Sequence, residues 1–302
     1  MTKQEEIQKL KEEKDAVILA HYYVRPEVQD IADYIGDSYF LSRRAVDMPH
    51  RTIVFCGVSF MGESAKLLNP AKTVLMPDAK ADCPMAHMVT METVERARAQ
   101  YEDLAVVCYI NSTAEVKSWS DVCVTSANAV QIVKNLPNKN ILFIPDRNLA
   151  HFVADKVPGK RIIYNEGFCP IHEHMKAEEI RKLKEQHPSA KVLVHPECSS
   201  EVTALADYIG STSGIIDYAK NSTDTIFIIG TEQGVRHALQ QAREDAVFFF
   251  PETEPICVDM KMITLDKIID VLKNGSNEIK MDDGQASAAA ERTLTRMLEL
   301  AQ

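Results

Sequence analysis

The sequence predicts an α/β protein built as three homologous three-layer αβα sandwich domains, with parallel sheets, around a pseudo-threefold axis. Three observations predict it. The chain repeats itself at intervals of 86 to 88 residues, each repeat alternates short apolar strands with helices, and three of the seven cysteines take the same place in each repeat. Self-similarity at a fixed period is the signature of a chain built from copies of one supersecondary unit.

The first and third copies are plain. His21 to Ser38 aligns without a gap to His195 to Thr212, through Ala32-Asp33-Tyr34-Ile35-Gly36 and Ala206-Asp207-Tyr208-Ile209-Gly210. The second copy is weaker, with Tyr109 at the His position, Asp121 at the Asp position and Ser126 at the final hydroxyl. Each unit opens on an apolar strand (16–20, 104–108, 191–194) that ends at the polar residue just named. A short helix follows, then a short strand into a Ser or Thr, then a second helix such as 41–46 or 127–134. A third strand (53–56, 141–144, 226–229), a helix and a fourth strand (73–76, 161–164, 246–250) complete the unit. A further helix (90–101, 177–186, 264–273) closes each repeat. Strands alternating with helices imply parallel pairing through right-handed crossovers. The domains are expected at 1–102, 103–188 and 189–302, the last with C-terminal helices, and no linker-like segment separates them.

Composition excludes several classes. A formal charge of -10 argues against wrapping nucleic acid, and no basic stripe is present. The longest apolar runs are strand-sized, so no membrane span is expected. Residues 1–14 read as a charged helix without the apolar core of a signal peptide, which predicts a cytoplasmic protein. Seven cysteines in such a chain point to metal binding or burial in preference to disulfides.

Cys83, Cys169 and Cys257 all fall in the loop after the fourth strand, while Cys56, Cys108, Cys123 and Cys198 read as small buried hydrophobes. The absence of C-x-x-C argues against a zinc ribbon or a bacterial ferredoxin site. Three thiolates converging on one axis have the shape of a site for three corners of a [4Fe–4S] cluster. Its fourth iron would be open to act as a Lewis acid. A zinc or other redox-inert ion on the three thiolates is the second reading.

The strands pointing at that axis end in His21 with Tyr23, Tyr109 with Asn111, and His195 with Glu197. In open α/β sheets ligands bind beyond the carboxyl ends of the strands, so these pairs are the candidate chamber. Glu197 is the candidate general base, expected to titrate upward in a dry site beside His195. Ser38, Ser126 and Thr212 each precede a helix as N-caps, and three helix N-termini would bind carboxylates or phosphate without net positive charge. His172, three residues after Cys169, is a further candidate that shares its loop with His174.

These residues lie in long ungapped motifs. Among them are His21-Tyr22-Tyr23, Gly36-Asp37-Ser38, Asp82-Cys83-Pro84-Met85-Ala86 and Tyr109-Ile110-Asn111-Ser112-Thr113. Further along stand Thr125-Ser126-Ala127-Asn128-Ala129, Pro145-Asp146-Arg147-Asn148-Leu149, Cys169-Pro170-Ile171-His172, His195-Pro196-Glu197-Cys198, Gly210-Ser211-Thr212 and Cys257-Val258-Asp259-Met260. Together they resemble quinolinate synthase over residues 15 to 265. The resemblance implies condensation of iminosuccinate with dihydroxyacetone phosphate to quinolinate, phosphate and water in de novo NAD biosynthesis. It implies a [4Fe–4S] cluster on Cys83, Cys169 and Cys257. Substrate contacts carry over to His21, Ser38, Tyr109, Asn111, Ser126, His195, Glu197 and Thr212, with Tyr23 and His172 as further catalytic candidates. It also implies a functional link to an L-aspartate oxidase or dehydrogenase. Departures are confined to variable positions such as Tyr22 and Asp259. A cluster-dependent hydro-lyase and an iron–sulfur sensor or carrier are the rival classes.

Overall fold

A computed structural model describes residues 1–282 and 284–301. The first repeat forms β1 (Ala16–His21), β2 (Tyr34–Gly36), β3 (Thr52–Cys56) and β4 (Thr73–Leu75). The second forms β5 (Leu104–Tyr109), β6 (Val122–Val124), β7 (Asn140–Ile144) and β8 (Arg161–Tyr164). The third forms β9 (Lys191–Val194), β10 (Tyr208–Ile209), β11 (Ile226–Gly230) and β12 (Val247–Phe249). Each set makes one four-stranded sheet in the same order: β2-β1-β3-β4, β6-β5-β7-β8 and β10-β9-β11-β12. All pairings are parallel. The sheets with their helices match the α/β sandwiches expected. Every residue of β1 is buried, which a strand in a parallel sheet needs, since helices must cover both faces.

The Asp shared by the three repeats has a structural task. Asp33, Asp121 and Asp207 accept the main-chain N–H of Ile18, Val106 and Val192 at 2.8, 2.7 and 2.8 Å. Each returns its own N–H to the carbonyl of the same residue. This reciprocal clasp pairs the first strand of the unit just before the short second strand begins. Val192 is fully buried, so Asp207→Ala leaves an N–H without a partner and is expected to lower stability by about 1–3 kcal/mol. A urea midpoint unchanged from the parent chain would refute the clasp.

Two details of the sequence reading are corrected. Ser38 and Thr212 are not N-caps but the first residues of the helices Ser38–Asp47 and Thr212–Asn221. The caps lie one residue earlier, where Asp37 accepts from Phe40 N and Ser211 from Gly214 N in the extended backbone that capping requires. In the second repeat Asn128 holds the cap position of Ala129–Asn135, and Ser126 sits in the turn before it. The serine and threonine hydroxyls are thereby released from capping.

The termini brace the sheets. The helix Lys3–Lys14, closed by a Thr2/Glu5 capping box, pairs with Leu265–Asn274 through Lys3–Asp266 and Glu6–Lys273 ion pairs. The helix Gln285–Leu300 buries Leu294 and Met297 and packs on β6 and on the helices Ser59–Leu68 and Ala114–Ser118. Among the described residues no helix is long and apolar enough to cross a membrane.

Candidate active site

The strand ends of the three sheets open into one cavity of about 990 Å³, counting the part open to solvent. The first repeat lines it with His21, Tyr23, Ser38 and Cys83, and the second with Tyr109, Asn111, Ser126, Cys169 and His172. The third contributes His195, Glu197, Thr212 and Cys257. All thirteen residues singled out in the sequence therefore meet in one place. The first strands of the first two repeats explain part of this, because β1 and β5 run on to His21 and Tyr109, aiming the next residues over the sheet edge.

The seven cysteines divide as their register indicated. Cys83, Cys169 and Cys257 are partly exposed, while Cys56, Cys108, Cys123 and Cys198 are buried. Cys83 and Cys169 each start a short helical turn, Pro84–His87 and Pro170–Glu173, whose first residue is the proline that such a turn favours. Cys257 stands three residues ahead of the turn Met260–Met262. In all three a main-chain N–H three residues on, from Ala86, His172 or Met260, favours the thiolate form. Burial nevertheless pushes all three thiols up, Cys257 to about 11 and the other two further. Metal-free, they are thiols at neutral pH, and a bound cation would displace their protons. Three sulfurs in one cavity wall are a donor set that suits an iron–sulfur cluster.

A hydrogen-bonded chain crosses the cavity. Tyr23 Oη lies 2.7 Å from Thr212 Oγ1 and 2.7 Å from Thr231 Oγ1. Thr231 Oγ1 lies 2.9 Å from His172 Nε2, and His172 Nδ1 lies 2.8 Å from Glu197 Oε2 and 3.2 Å from Cys169 Sγ. The network assigns the protons: a carboxylate can only accept, so Nδ1 donates to Glu197 and Nε2 accepts from Thr231. Cys169, His172 and Glu197 also present ligand atoms within 4.8 Å of one another. Both nitrogens of His172 are already engaged, however, which weighs against a single ion held by this trio.

The remaining histidines are neutral donors. The N–H of Tyr23 reaches His21 Nδ1 at 3.2 Å, and that of Glu197 reaches His195 Nδ1 at 3.3 Å, so both rings carry their proton on Nε2. Burial pushes both imidazoles down to about 3. The 3.4 Å approach of His195 Nδ1 to Glu197 Oε2 is thus a contact with a neutral ring, not an ion pair. Burial also raises the phenols of Tyr23 and Tyr109, which stay protonated.

Glu197 departs from the sequence reading. Burial favours its protonated form, as expected, but the neighbouring His172 imidazole and the hydrogen bonds donated by His172 and Tyr109 outweigh burial. The carboxyl is held below its ordinary range and stays ionised. His172, in contrast, is fully buried and central, while its neighbour His174 is exposed.

Some residues of the site escaped the sequence reading. Thr231, fully buried just behind the cavity wall, joins the site through Tyr23 and His172, and the matching positions in the other repeats are Gly57 and Pro145, so only its place after a strand end marks it. Glu232 and Asp37, which line the cavity, are others. Asp37 Oδ2, Asn111 Oδ1 and Thr125 Oγ1 are buried with no hydrogen-bond partner among the described residues, although all three residues line the cavity. Buried polar atoms are nearly always paired, so these are contacts prepared for a ligand.

Comparison with known proteins accords with this site. A family model described as "NadA: Quinolinate synthetase A protein" matches residues 5–299. The quinolinate synthase of Fusobacterium nucleatum is 50% identical over 295 residues, covering 98% of this chain and 98% of its own. That of Clostridioides difficile is 48% identical over 297 residues, covering 98% and 97%. That of Caldicellulosiruptor bescii is 50% identical over 295 residues, covering 98% and 97%.

Proposed function

The chain belongs to the quinolinate synthase family, an enzyme family of NAD biosynthesis, and from that premise we propose the following reaction and division of labour. The enzyme condenses iminosuccinate with dihydroxyacetone phosphate, giving quinolinate, phosphate and two waters. Cys83, Cys169 and Cys257 hold a [4Fe–4S] cluster, which supplies a Lewis-acidic iron without a protein ligand. The observation that carries the reading is the meeting of these three sulfurs with the Tyr23–Thr231–His172–Glu197 chain in one cavity.

The residues divide the remaining work. Ser38 and Thr212, at the first turns of their helices, offer hydroxyls beside main-chain N–H groups suited to carboxylate or phosphate. Ser126, Tyr109 and Asn111 line the second repeat's share of the cavity and add hydroxyl and amide partners. His21 and His195 donate from neutral Nε2, so they orient an anion without competing for a proton. Tyr23 is the proton-moving group: its hydroxyl can pass a proton through Thr231 to His172, whose other nitrogen is steadied by the ionised Glu197. Glu197 therefore acts through His172 and as a direct acceptor toward substrate. Burial of these groups excludes water from an imine that water would hydrolyse.

The same lability of iminosuccinate supports a functional link to an L-aspartate oxidase or dehydrogenase as its source. We also propose a cytoplasmic setting without nucleic-acid or membrane partners, supported by the formal charge of -10 and the absence of a long apolar helix among the described residues. The test is direct. Anaerobic, cluster-loaded protein is incubated with iminosuccinate and dihydroxyacetone phosphate, and quinolinate is measured by mass. Product is expected in multiple turnovers, and its absence from cluster-loaded protein would sink the proposal.

A further inference from the structure

The loops that carry the three cysteines are tied to the sheets by the same main-chain bond in every repeat. The third residue beyond β3, β7 and β11 donates its N–H to the carbonyl two residues before the cysteine. The pairs are Ser59 to Ala81 at 2.9 Å, Arg147 to Gly167 at 2.8 Å, and Gln233 to Pro255 at 2.9 Å. Beside this tether stands a carboxylate. Glu232, wholly buried, accepts the Cys257 N–H on Oε1 at 3.0 Å and the Gly234 N–H on Oε2 at 2.6 Å. Lys261 Nζ, 2.8 Å from Oε1, balances its charge and also donates to the Tyr23 carbonyl.

The other repeats vary this device. Asp146 holds the position that matches Glu232, and there its Oδ1 caps the helix Arg147–Lys156 by accepting the Leu149 N–H at 2.7 Å. In the first repeat the matching residue is Val58, whose side chain can accept nothing. There the carboxylate has crossed to the cysteine side: Asp82 Oδ1 accepts the Cys83 N–H at 2.8 Å and also the Ser59 hydroxyl. Two different solutions to one task, at one place in the repeat, argue that the task matters.

We propose that Glu232 and Asp82 are positioning residues for the cluster, each fixing a ligand cysteine by accepting its main-chain N–H. The bond pins the start of the loop and, with it, the cysteine whose sulfur lines the cavity. This inference rests on the reading that the three cysteines hold the cluster. Partners behind metal ligands commonly carry about tenfold or more in metal affinity.

The test uses cluster-loaded full-length protein challenged anaerobically with excess iron chelator, with circular dichroism as a check of folding. Glu232→Ala and Asp82→Ala are expected to release iron about tenfold faster than the parent chain. Glu232→Gln, which keeps an oxygen for the Cys257 N–H, is expected to stay near the parent rate. Parent-like release from the folded alanine variants overturns the proposal, and so does Glu232→Gln releasing as fast as Glu232→Ala. Should Glu232→Ala fail to fold, Asp82→Ala decides by the same criterion. Cys257→Ala separates the two claims. Full iron in that variant removes the ligand assignment itself, whereas an iron-free Cys257→Ala with parent-like Glu232→Ala removes only the positioning role.

Discussion

Cys169→Ala is expected to lose the brown cluster absorbance and to retain under about a tenth of the parent iron, with quinolinate formation lost in step. Each of the three sulfurs comes from a different repeat, so no neighbouring cysteine can replace the one removed. Cys198, close in sequence, is buried with its sulfur 3.5 Å from the Gly230 carbonyl, outside the cavity lining. The loss also leaves His172 Nδ1 with Glu197 alone, because its contact to Cys169 Sγ is gone. Cys56→Ala is the control. Cys56 is fully buried in β3, and its removal should cost about 1–2 kcal/mol of stability while iron content stays at the parent level. Iron analysis of both variants after anaerobic reconstitution settles the matter. Parent-like iron in Cys169→Ala would refute its assignment as a ligand.

Thr231→Val should do the opposite: iron content unchanged, turnover reduced by about a hundredfold or more. Valine has the shape of threonine but neither donates to His172 Nε2 nor accepts from Tyr23 Oη, so the chain breaks at its middle. Tyr23→Phe removes the end of the same chain and is expected to reduce turnover at least as far. If the groups act as a unit, the double variant is no slower than Tyr23→Phe alone, since groups in one relay are not additive. Steady-state rates of the three variants at matched iron content test this. Independent, multiplying effects would show that Tyr23 and Thr231 do not share a relay.

The contrast between these two predictions bears on what the sequence could reveal. The cysteines were legible because their register is a property of the chain itself, as were the strand-end pairs headed by His21, Tyr109 and His195. Thr231 was not legible, because no other repeat carries a hydroxyl there and its partners arrive from distant parts of the chain. The caps of these two helices were misplaced by one residue because Asp37-Ser38 and Ser211-Thr212 each offer two good capping side chains in a row. The direction in which Glu197 titrates was misjudged for a related reason. Burial alone was visible from its setting, whereas the donors that overcome it, Tyr109 and His172, belong to another repeat.

The placement of one sulfur in each repeat has an entropic consequence. A cluster joining residues 83, 169 and 257 closes two long loops of the unfolded chain at once. Closing a loop of this length removes disorder on the order of 4 kcal/mol from the unfolded ensemble, on the scale known for disulfides. On the proposed ligand set the cluster would be a three-way cross-link as well as a reagent. Loaded protein should melt as one cooperative unit, while iron-free protein keeps only the packing and the side-chain bonds between its three sheets. Oxidative loss of the cluster would therefore mark the chain for unfolding at the same moment that it silences the enzyme.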